Sequence, residues 1–481
     1  MPADPLYQAL LAESGDSADR ALAARYAPSL LFDRQEPFLP LAAGYTIFRS
    51  DAPSPSFPRQ VLLCAPDRPA AQLVIEYAIW WDWDIQHLYE LEHVWVSVDA
   101  DGRVVHADAS WHGGMHPMLH DGALRLEGDH VVVYSEPGKH AFAPDPAWFA
   151  QRATHPRGAT EALAGLGGVL VTSLFKGQIA RTPLADTLAR TYLARHAFRP
   201  AMSFDQRFAF TPAQLVPWAA LRDWVPGRVA WWVARLADEI APAEYRPLRV
   251  GHRGAAAHAP DNSLAGIEAA ARLGADAVEI DVQLTRDGTA VAVHDLALHA
   301  EDGSARMIAE STFEQLRALP AGARLATLDE VLLCCQANRI GLYLELKAAA
   351  AIPLTLETLR KHNFDELIVG SFRPDWLADV KAAAPELPTS VLFGAPTTDA
   401  CALAAAAHAD YVHPCWEARA DRPDELLTAE WVAQVRAAGL GIVCWHEERP
   451  PVIDGIHQRG VDAICSDRPE LLVKGKQLEP V

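Results

Sequence analysis

A chain of 481 residues is too long for one ordinary domain, and two or three are expected. Hydrophobic residues at 50% and charged residues at 22% describe an ordinary soluble globular protein. A formal net charge of −20 argues against nucleic acid or an anionic membrane as the main partner, and an anionic substrate must find local positive charge in its site.

The N-terminal stretch through Ser14 lacks a basic start and an apolar core long enough for export. No run approaches a membrane span, so no integral membrane segment is expected. The seven Cys include no C-x-x-C pair, and their odd number leaves one thiol unpaired in any disulfide scheme. Reduced thiols in a cytoplasmic protein are the simpler reading. Residues 1–27 read as a helical lead-in, with Leu6, Leu10 and Leu11 on one face. From Tyr26 to about Asp145, short apolar runs are broken by Pro, Gly and Asp. Runs at 61–64, 73–81, 93–98, 103–106 and 131–134 are expected strands, with Asp99-Ala-Asp-Gly102 a hairpin turn. Residues 146–245 turn mostly helical, over 159–173, 183–195, 211–225 and 228–240, and 241–247 make a join.

After Pro247, strands alternate with helices as in βα units. Helices are expected over 263–273, 312–319, 328–337, 353–361, 375–384, 429–438 and 451–459. Nine strand candidates compete for the eight places of a barrel, and the excess falls between Asp281 and His294, where Thr285-Arg-Asp-Gly288 is a turn. The expected fold class is α/β, with a C-terminal TIM-type barrel over 248–475. Before it come the lead-in, a β-rich accessory domain over 28–225 with a helical tail, and a linker helix over 226–247.

Four strands of the second half end in chemistry. Leu248 and Val250 run into His252, Arg253 and Gly254. Ala277, Val278 and Ile280 carry Glu279 and Asp281, which strand alternation puts on one face. Val291, Ala292 and Val293 run into His294 and Asp295, and Leu342-Tyr-Leu-Glu-Leu-Lys347 sets Glu345 and Lys347 at the same spacing. Ionisable residues at the C-terminal ends of parallel strands are where a barrel builds its site. Glu279, Asp281 and Glu345 make an all-oxygen set suited to one divalent cation, Ca²⁺ or Mg²⁺. Glu279 and Asp281 interrupt an apolar strand with no local cation, whereas for Glu345 an ion pair with Lys347 competes. His252 and His294 suit general acid–base work, since imidazole titrates near working pH. Arg253 is an always-charged fork for phosphate, and Lys347 adds a second positive contact. Gly254 lets the loop approach a ligand or simply serves a turn.

His252-Arg-Gly254, Pro260-Asp-Asn-Ser263, Glu279-Ile-Asp-Val282, Val293-His-Asp295 and Leu344-Glu-Leu-Lys347 together resemble the glycerophosphodiester phosphodiesterase family. Thr327-Leu-Asp-Glu-Val331, Ser371-Phe372, Trp445 and Gly460-Val-Asp-Ala-Ile-Cys-Ser-Asp-Arg-Pro469 extend the likeness over roughly residues 246–475. The resemblance implies hydrolysis of a glycerophosphodiester to a glycerol phosphate and an alcohol. It implies a divalent cation on Glu279, Asp281 and Glu345, and acid–base roles for His252 and His294. It also implies attack on phosphorus by the neighbouring glycerol hydroxyl, giving a cyclic phosphate that water opens. Which histidine is acid and which base stays open. Two stretches depart from the family pattern. P-E-N-T becomes Pro260-Asp261-Asn262-Ser263, so Asp261 keeps its charge on a shorter arm, with helix capping beside Ser263 as its other reading. W-T-x-N becomes Trp445-His446-Glu447-Glu448; Trp445 is expected to wall the alcohol or glycerol pocket, and His446 reads equally as a structural or surface residue. Phe372 and Trp416 read as barrel core more than pocket wall.

Trp80-Trp-Asp-Trp-Asp-Ile-Gln-His87-Leu-Tyr-Glu90-Leu-Glu92-His93 is dense in aromatics, acids and histidines, and His112 and His140 follow downstream. This part resembles, more distantly, the β-sandwich of necrosis-inducing toxin-like proteins, with Glu90 and Glu92 as the acidic pair. That resemblance implies a second divalent-metal site from His87, Glu90 and Glu92 with His112 or His140. The plainer alternative is a β-domain with a polar rim around buried tryptophans; a second hydrolase, a carbohydrate or lipid-headgroup binder and a lid are all open roles. For the barrel, two readings compete with glycerophosphodiester hydrolysis: phospholipase D-like cleavage of a lysophospholipid or other bulky diester, and binding of a phosphate ligand without turnover. The histidine pair argues against the last, because binding alone needs no acid and base.

Overall fold

Long runs of β-branched and aromatic residues in the first half of the chain fill a pleated, half-buried surface. The computed structural model describes residues 4–13, 17–66, 68–151, 160–300, 303–364, 366–444 and 446–473. In it Leu73–Trp83 and His87–Val98 form a long antiparallel hairpin inside a seven-stranded sheet, flanked by Ala42–Phe48 and Val104–Trp111. A five-stranded sheet includes His130–Ser135, Ser29–Phe32 and Gln206–Phe208. Phe32 of this sheet meets Trp81 of the hairpin edge-on, ring centroids 6.4 Å apart, and both are buried. Asp99–Gly102 turns as the sequence suggests, with Gly102 N–H donating to Asp99 O.

Several elements differ from the sequence pattern. The run at 61–64 pairs only over Gln60–Val61. The helix suggested over 159–173 is replaced, over the described part, by turns and the short strand Gly168–Val169. Gly165 and Gly168, at φ 81° and 63°, break helical continuity there. The helices suggested over 211–225 and 228–240 are one, Trp218–Glu239, which contains Pro226. A proline inside a helix removes a backbone bond, but burial of Trp218, Leu221, Val225, Val229, Trp232 and Leu236 outweighs that loss. The chain divides into two compact units, Met1–Arg181 with Leu188–Glu239, and Thr182–Thr187 with Ile240–Val481. The long helix falls wholly in the first unit, although the pattern places a linker from residue 226.

The second unit holds a nine-stranded sheet that closes on itself, because Leu248–Gly251 pairs in parallel with both Ala277–Leu284 and Ala463–Ser466. One of the nine, Ala290–Ala292, runs antiparallel against Ala277–Leu284, which leaves eight parallel strands as the barrel wall. The wall strands are buried and largely apolar, as in Gly341–Leu346, where every residue is buried. The surplus strand has a consequence for His294: it follows a hairpin return rather than the end of a wall strand. A second hairpin, Ala297–His299 with Ala305–Met307, comes next. Helix starts carry clear caps, such as Thr327, whose side chain accepts from Glu330 N–H. The helix Ala400–Ala407 has no counterpart in the sequence reading, since its alanines give no apolar periodicity.

Asp276, just before the second wall strand, has no exposed side-chain surface. It accepts from Arg249 Nη2 at 2.5 Å, Nε at 2.9 Å and backbone N–H at 3.0 Å, and from Arg246 at 3.2 Å. Burial alone would raise this carboxyl, but the Arg246 charge and the Arg249 hydrogen bonds hold it below its ordinary range. Asp276→Asn is therefore expected to lower the unfolding free energy by about 3 kcal/mol, read from the urea midpoint, because it strands guanidinium charge. The folded pKa lies below the unfolded value of about 3.9. The parent thus has this stability above that value and loses it as pH falls through the folded pKa, and the Asn variant should show a flatter acid limb.

Candidate active site

Strand alternation delivers the carboxylates. Glu279 and Asp281 lie on one face of Ala277–Leu284, and Asp281 is in register with Glu345 on the neighbouring strand. All three are buried and bring oxygens within 4.8 Å of one another. Burial, then the charge of Asp281, push the Glu279 carboxyl up to about 8. Burial also raises Glu345, against the pull of Lys347. The sequence shows no cation beside the Glu279–Asp281 pair, and here the structure corrects it. Lys347 Nζ lies 3.1 Å from Asp281 and 2.5 Å from Glu345, and Arg253 Nε lies 3.6 Å from Asp281. Burial opposes the charge on Lys347, but Glu345 and Asp281 outweigh it and raise the amine. Glu279 Oε1 is buried without a hydrogen-bond partner among the described residues. Carboxylate oxygens in this number and proximity fit a hard divalent cation.

The loop after Leu248–Gly251 turns sharply, with φ 50° at Arg253 and 94° at Gly254. A Cβ at residue 254 would lie 2.6 Å from the carbonyl carbon of Gly266, so packing against the helix Leu264–Leu273 accounts for this glycine. The turn points Arg253 N–H at Glu279 Oε2, 2.9 Å away. It also holds His252 with Nε2 3.9 Å from Glu279 and Nδ1 2.6 Å from Asp467. Burial would lower the His252 pKa, but the Asp467 hydrogen bond and the Glu279 charge raise it. Asp261 is half-exposed and pairs with Arg253 at 2.9 Å, while Ser263 caps the helix by accepting from Gly266 N–H. Asp261 therefore does not cap.

His294 is brought to the same place by its hairpin, since Val293 N–H donates to Asp281 O at 3.0 Å. It is 41% exposed, pairs with Asp295 at 2.9 Å, and is near enough to Glu345 for its charge to lower that carboxyl. His252 thus lies by Glu279, and His294 is near enough to act on Glu345. Two residues carry no site signal of their own in the sequence. Asn262 donates to Asp281 Oδ2 and accepts from Asp281 N–H, both at 2.9 Å. Buried Gln283 donates to the carbonyls of Val293, His294 and Asp295 at 3.2, 3.0 and 2.7 Å. Their partners are backbone groups or a neighbouring strand, which no motif spacing reveals. Trp445 lies outside the described residues. His446 is not a bystander, for its ring lies flat on that of His252. Phe372 is 48% exposed beside Lys347 rather than in the core, whereas Trp416 is buried.

In the first unit Asp84, His87 and Glu90 bring ligand-type atoms within 4.8 Å. His87 and Glu90, three apart, share a side because Tyr89 at φ 60° interrupts strand alternation. Lys139 Nζ lies 2.7 Å from Asp84. The set suggested by sequence gains Asp84 and loses three members. Glu92 accepts from Ser110 Oγ, His112 pairs with Glu136 at 2.7 Å, and His140 stacks on Trp81 at 4.7 Å. Burial lowers His87 to about 4 and raises Glu90 to about 8.

Comparison with known proteins adds to this geometry. The model of the glycerophosphoryl diester phosphodiesterase family matches residues 252–471. A probable glycerophosphodiester phosphodiesterase 1 of Mycobacterium tuberculosis is 30% identical over 262 residues, 48% of this chain and 93% of that protein. The chain belongs to the glycerophosphodiester phosphodiesterase family. It is a phosphoric diester hydrolase by that membership. A glycerophosphodiester phosphodiesterase of Caldanaerobacter subterraneus subsp. tengcongensis is 28% identical over 243 residues, 47% of this chain and 97% of that one. A crystal structure of a glycerophosphodiester phosphodiesterase from Thermotoga maritima is 26% identical with a TM-score of 0.41, covering 48% of this chain and 98% of that one. No described helix is long and apolar enough to cross a membrane.

Gly254→Ala is expected to lower stability by about 1–3 kcal/mol in urea unfolding, since the added methyl meets the backbone of Gly266 in a left-handed conformation.

Proposed function

We propose that the barrel hydrolyses glycerophosphodiesters with one divalent cation on Glu279, Asp281 and Glu345 and with His252 and His294 as acid and base. The observation that carries this is the buried carboxylate set with His252 3.9 Å from Glu279 and His294 close enough to act on Glu345. Bound there, the cation would supply neutralisation of phosphoryl charge. Arg253 and Lys347 add fixed positive charge for the phosphate oxygens, and Asp261 steadies Arg253. One imidazole takes the proton of the neighbouring glycerol hydroxyl as it attacks phosphorus, and the other protonates the departing alkoxide. Water then opens the cyclic phosphate with the two roles exchanged. Asp467 on Nδ1 of His252 leaves Nε2 for this transfer.

Choline release from glycerophosphocholine is expected to stop with EDTA and return with Mg²⁺ or Ca²⁺, the better of the two identifying the ion. Glu279→Gln and His252→Ala should each lower kcat by about 10²-fold or more. Activity that survives EDTA and both substitutions defeats the proposal. One observation favours a bulkier alcohol. Leu296, after His294-Asp295, is 63% exposed, and Phe372, after the wall strand Leu367–Ser371, is 48% exposed. These side chains suit the acyl chain of a lysophospholipid. On that reading Leu296→Ser with Phe372→Ser lowers kcat/KM for lysophosphatidylcholine and spares glycerophosphocholine; an equal effect on both rejects it.

For the first unit we propose a second divalent-cation site at Asp84, His87 and Glu90. Its support is Asp84 Oδ2, fully buried and without a hydrogen-bond partner among the described residues, beside carboxylates that outnumber the one lysine. Metal analysis of the full chain equilibrated with Mn²⁺ should find two ions, falling to one in Asp84→Asn. A single ion in the parent that Glu279→Gln removes excludes the second site.

A further inference from the structure

We infer that His446 is a positioning residue for the hydrolysis, holding His252 by the face of its ring while Asp467 holds it by one edge. The inference rests on the acid–base role proposed for His252. The two imidazoles are parallel within 3°, with centroids 4.4 Å apart. His252, His446 and Asp467 bring side-chain atoms within 4.8 Å of one another. A histidine ring turns about a broad, roughly two-fold torsion, so a single hydrogen bond at Nδ1 leaves its plane free to swing about that contact. A flat ring against its face removes the swing. Together the two restraints keep Nε2 on the Glu279 side, at 3.9 Å.

The segment that carries His446 is itself braced. Glu447 N–H donates to Cys465 O at 3.0 Å, and the Glu447 carboxylate accepts from Arg449 Nε at 2.7 Å and from Arg449 N–H at 2.9 Å. Glu448 Oε1 accepts from Asp467 N–H at 2.9 Å and from Ser466 Oγ at 3.2 Å. Both restraints on His252 therefore come from one tied piece, residues 446–449 with the end of the wall strand Ala463–Ser466. His446 is only partly buried, so filling the core does not account for it. The threonine of the family pattern at this position has no ring to stack.

The test compares His446→Ala, His446→Thr and His446→Phe in the full chain at saturating metal, with thermal unfolding as the folding control. His446→Ala and His446→Thr are expected to lower kcat for glycerophosphocholine by about tenfold with KM within about twofold, because a misplaced base slows the chemical step more than it weakens binding. His446→Phe, which keeps a flat ring and lacks the nitrogens, should recover most of the loss. If Ala does not unfold cooperatively, Thr decides. A kcat within about twofold of the parent for the ringless variant, or a Phe variant as slow as it, overturns the inference. His252→Ala separates the two proposals. Parent-like activity in His252→Ala defeats the acid–base reading, whereas an inactive His252→Ala beside an unimpaired ringless variant defeats the positioning role alone.

Discussion

Burying Glu279, Asp281 and Glu345 side by side creates a charge that the rest of the barrel mouth answers. Carboxylates in a low-dielectric interior repel one another and lack water, so each must find a proton, a cation or a donor. Lys347 bridges Asp281 and Glu345, Arg253 lends its guanidinium to Asp281 and its backbone N–H to Glu279, and Asn262 donates to Asp281 Oδ2 and accepts from the Asp281 N–H. The tight turn at Arg253 and Gly254, packed against the helix Leu264–Leu273, brings the Arg253 N–H down to Glu279. The site is thus one electrostatic problem solved by residues from several strands and loops.

The barrel keeps its stability and its chemistry at opposite strand ends. Asp276 gathers two arginines at the N-terminal end of its strand, where the ion pairs are complete. Five residues further along the chain, Asp281 belongs to a buried set in which Glu279 Oε1 has no hydrogen-bond partner among the described residues. A complete network rigidifies, and an incomplete one binds.

Much of the second unit was legible in the sequence because barrel strands are short, apolar and end in ionisable residues at fixed spacing. Glu279, Asp281, Glu345 and Lys347 follow from alternation alone. Less legible were groups whose role depends on a partner distant in sequence. Gln283 reads as a polar break in a strand, yet it clamps three carbonyls around His294. His446 differs from the family pattern and has no local signal, and only closure of the barrel lays it on His252. In the first unit, strand alternation fails at Tyr89, and Asp84 joins His87 and Glu90 where the resemblance implied Glu92. The proline inside Trp218–Glu239 likewise split one helix into two on paper, because buried aromatic surface outweighs a lost backbone bond.

His294 rides on a hairpin that leans against the wall rather than belonging to it. Its strand, Ala290–Ala292, is three residues long and buried, pairs with Ala277–Leu284 and meets Ala326 and Thr327 on its other side. Buried and bonded on both sides, the strand gives His294 a support as firm as a wall strand would. The hairpin that follows, Ala297–His299 with Ala305–Met307, forms a two-stranded sheet of its own, so changes of sequence there leave barrel closure untouched.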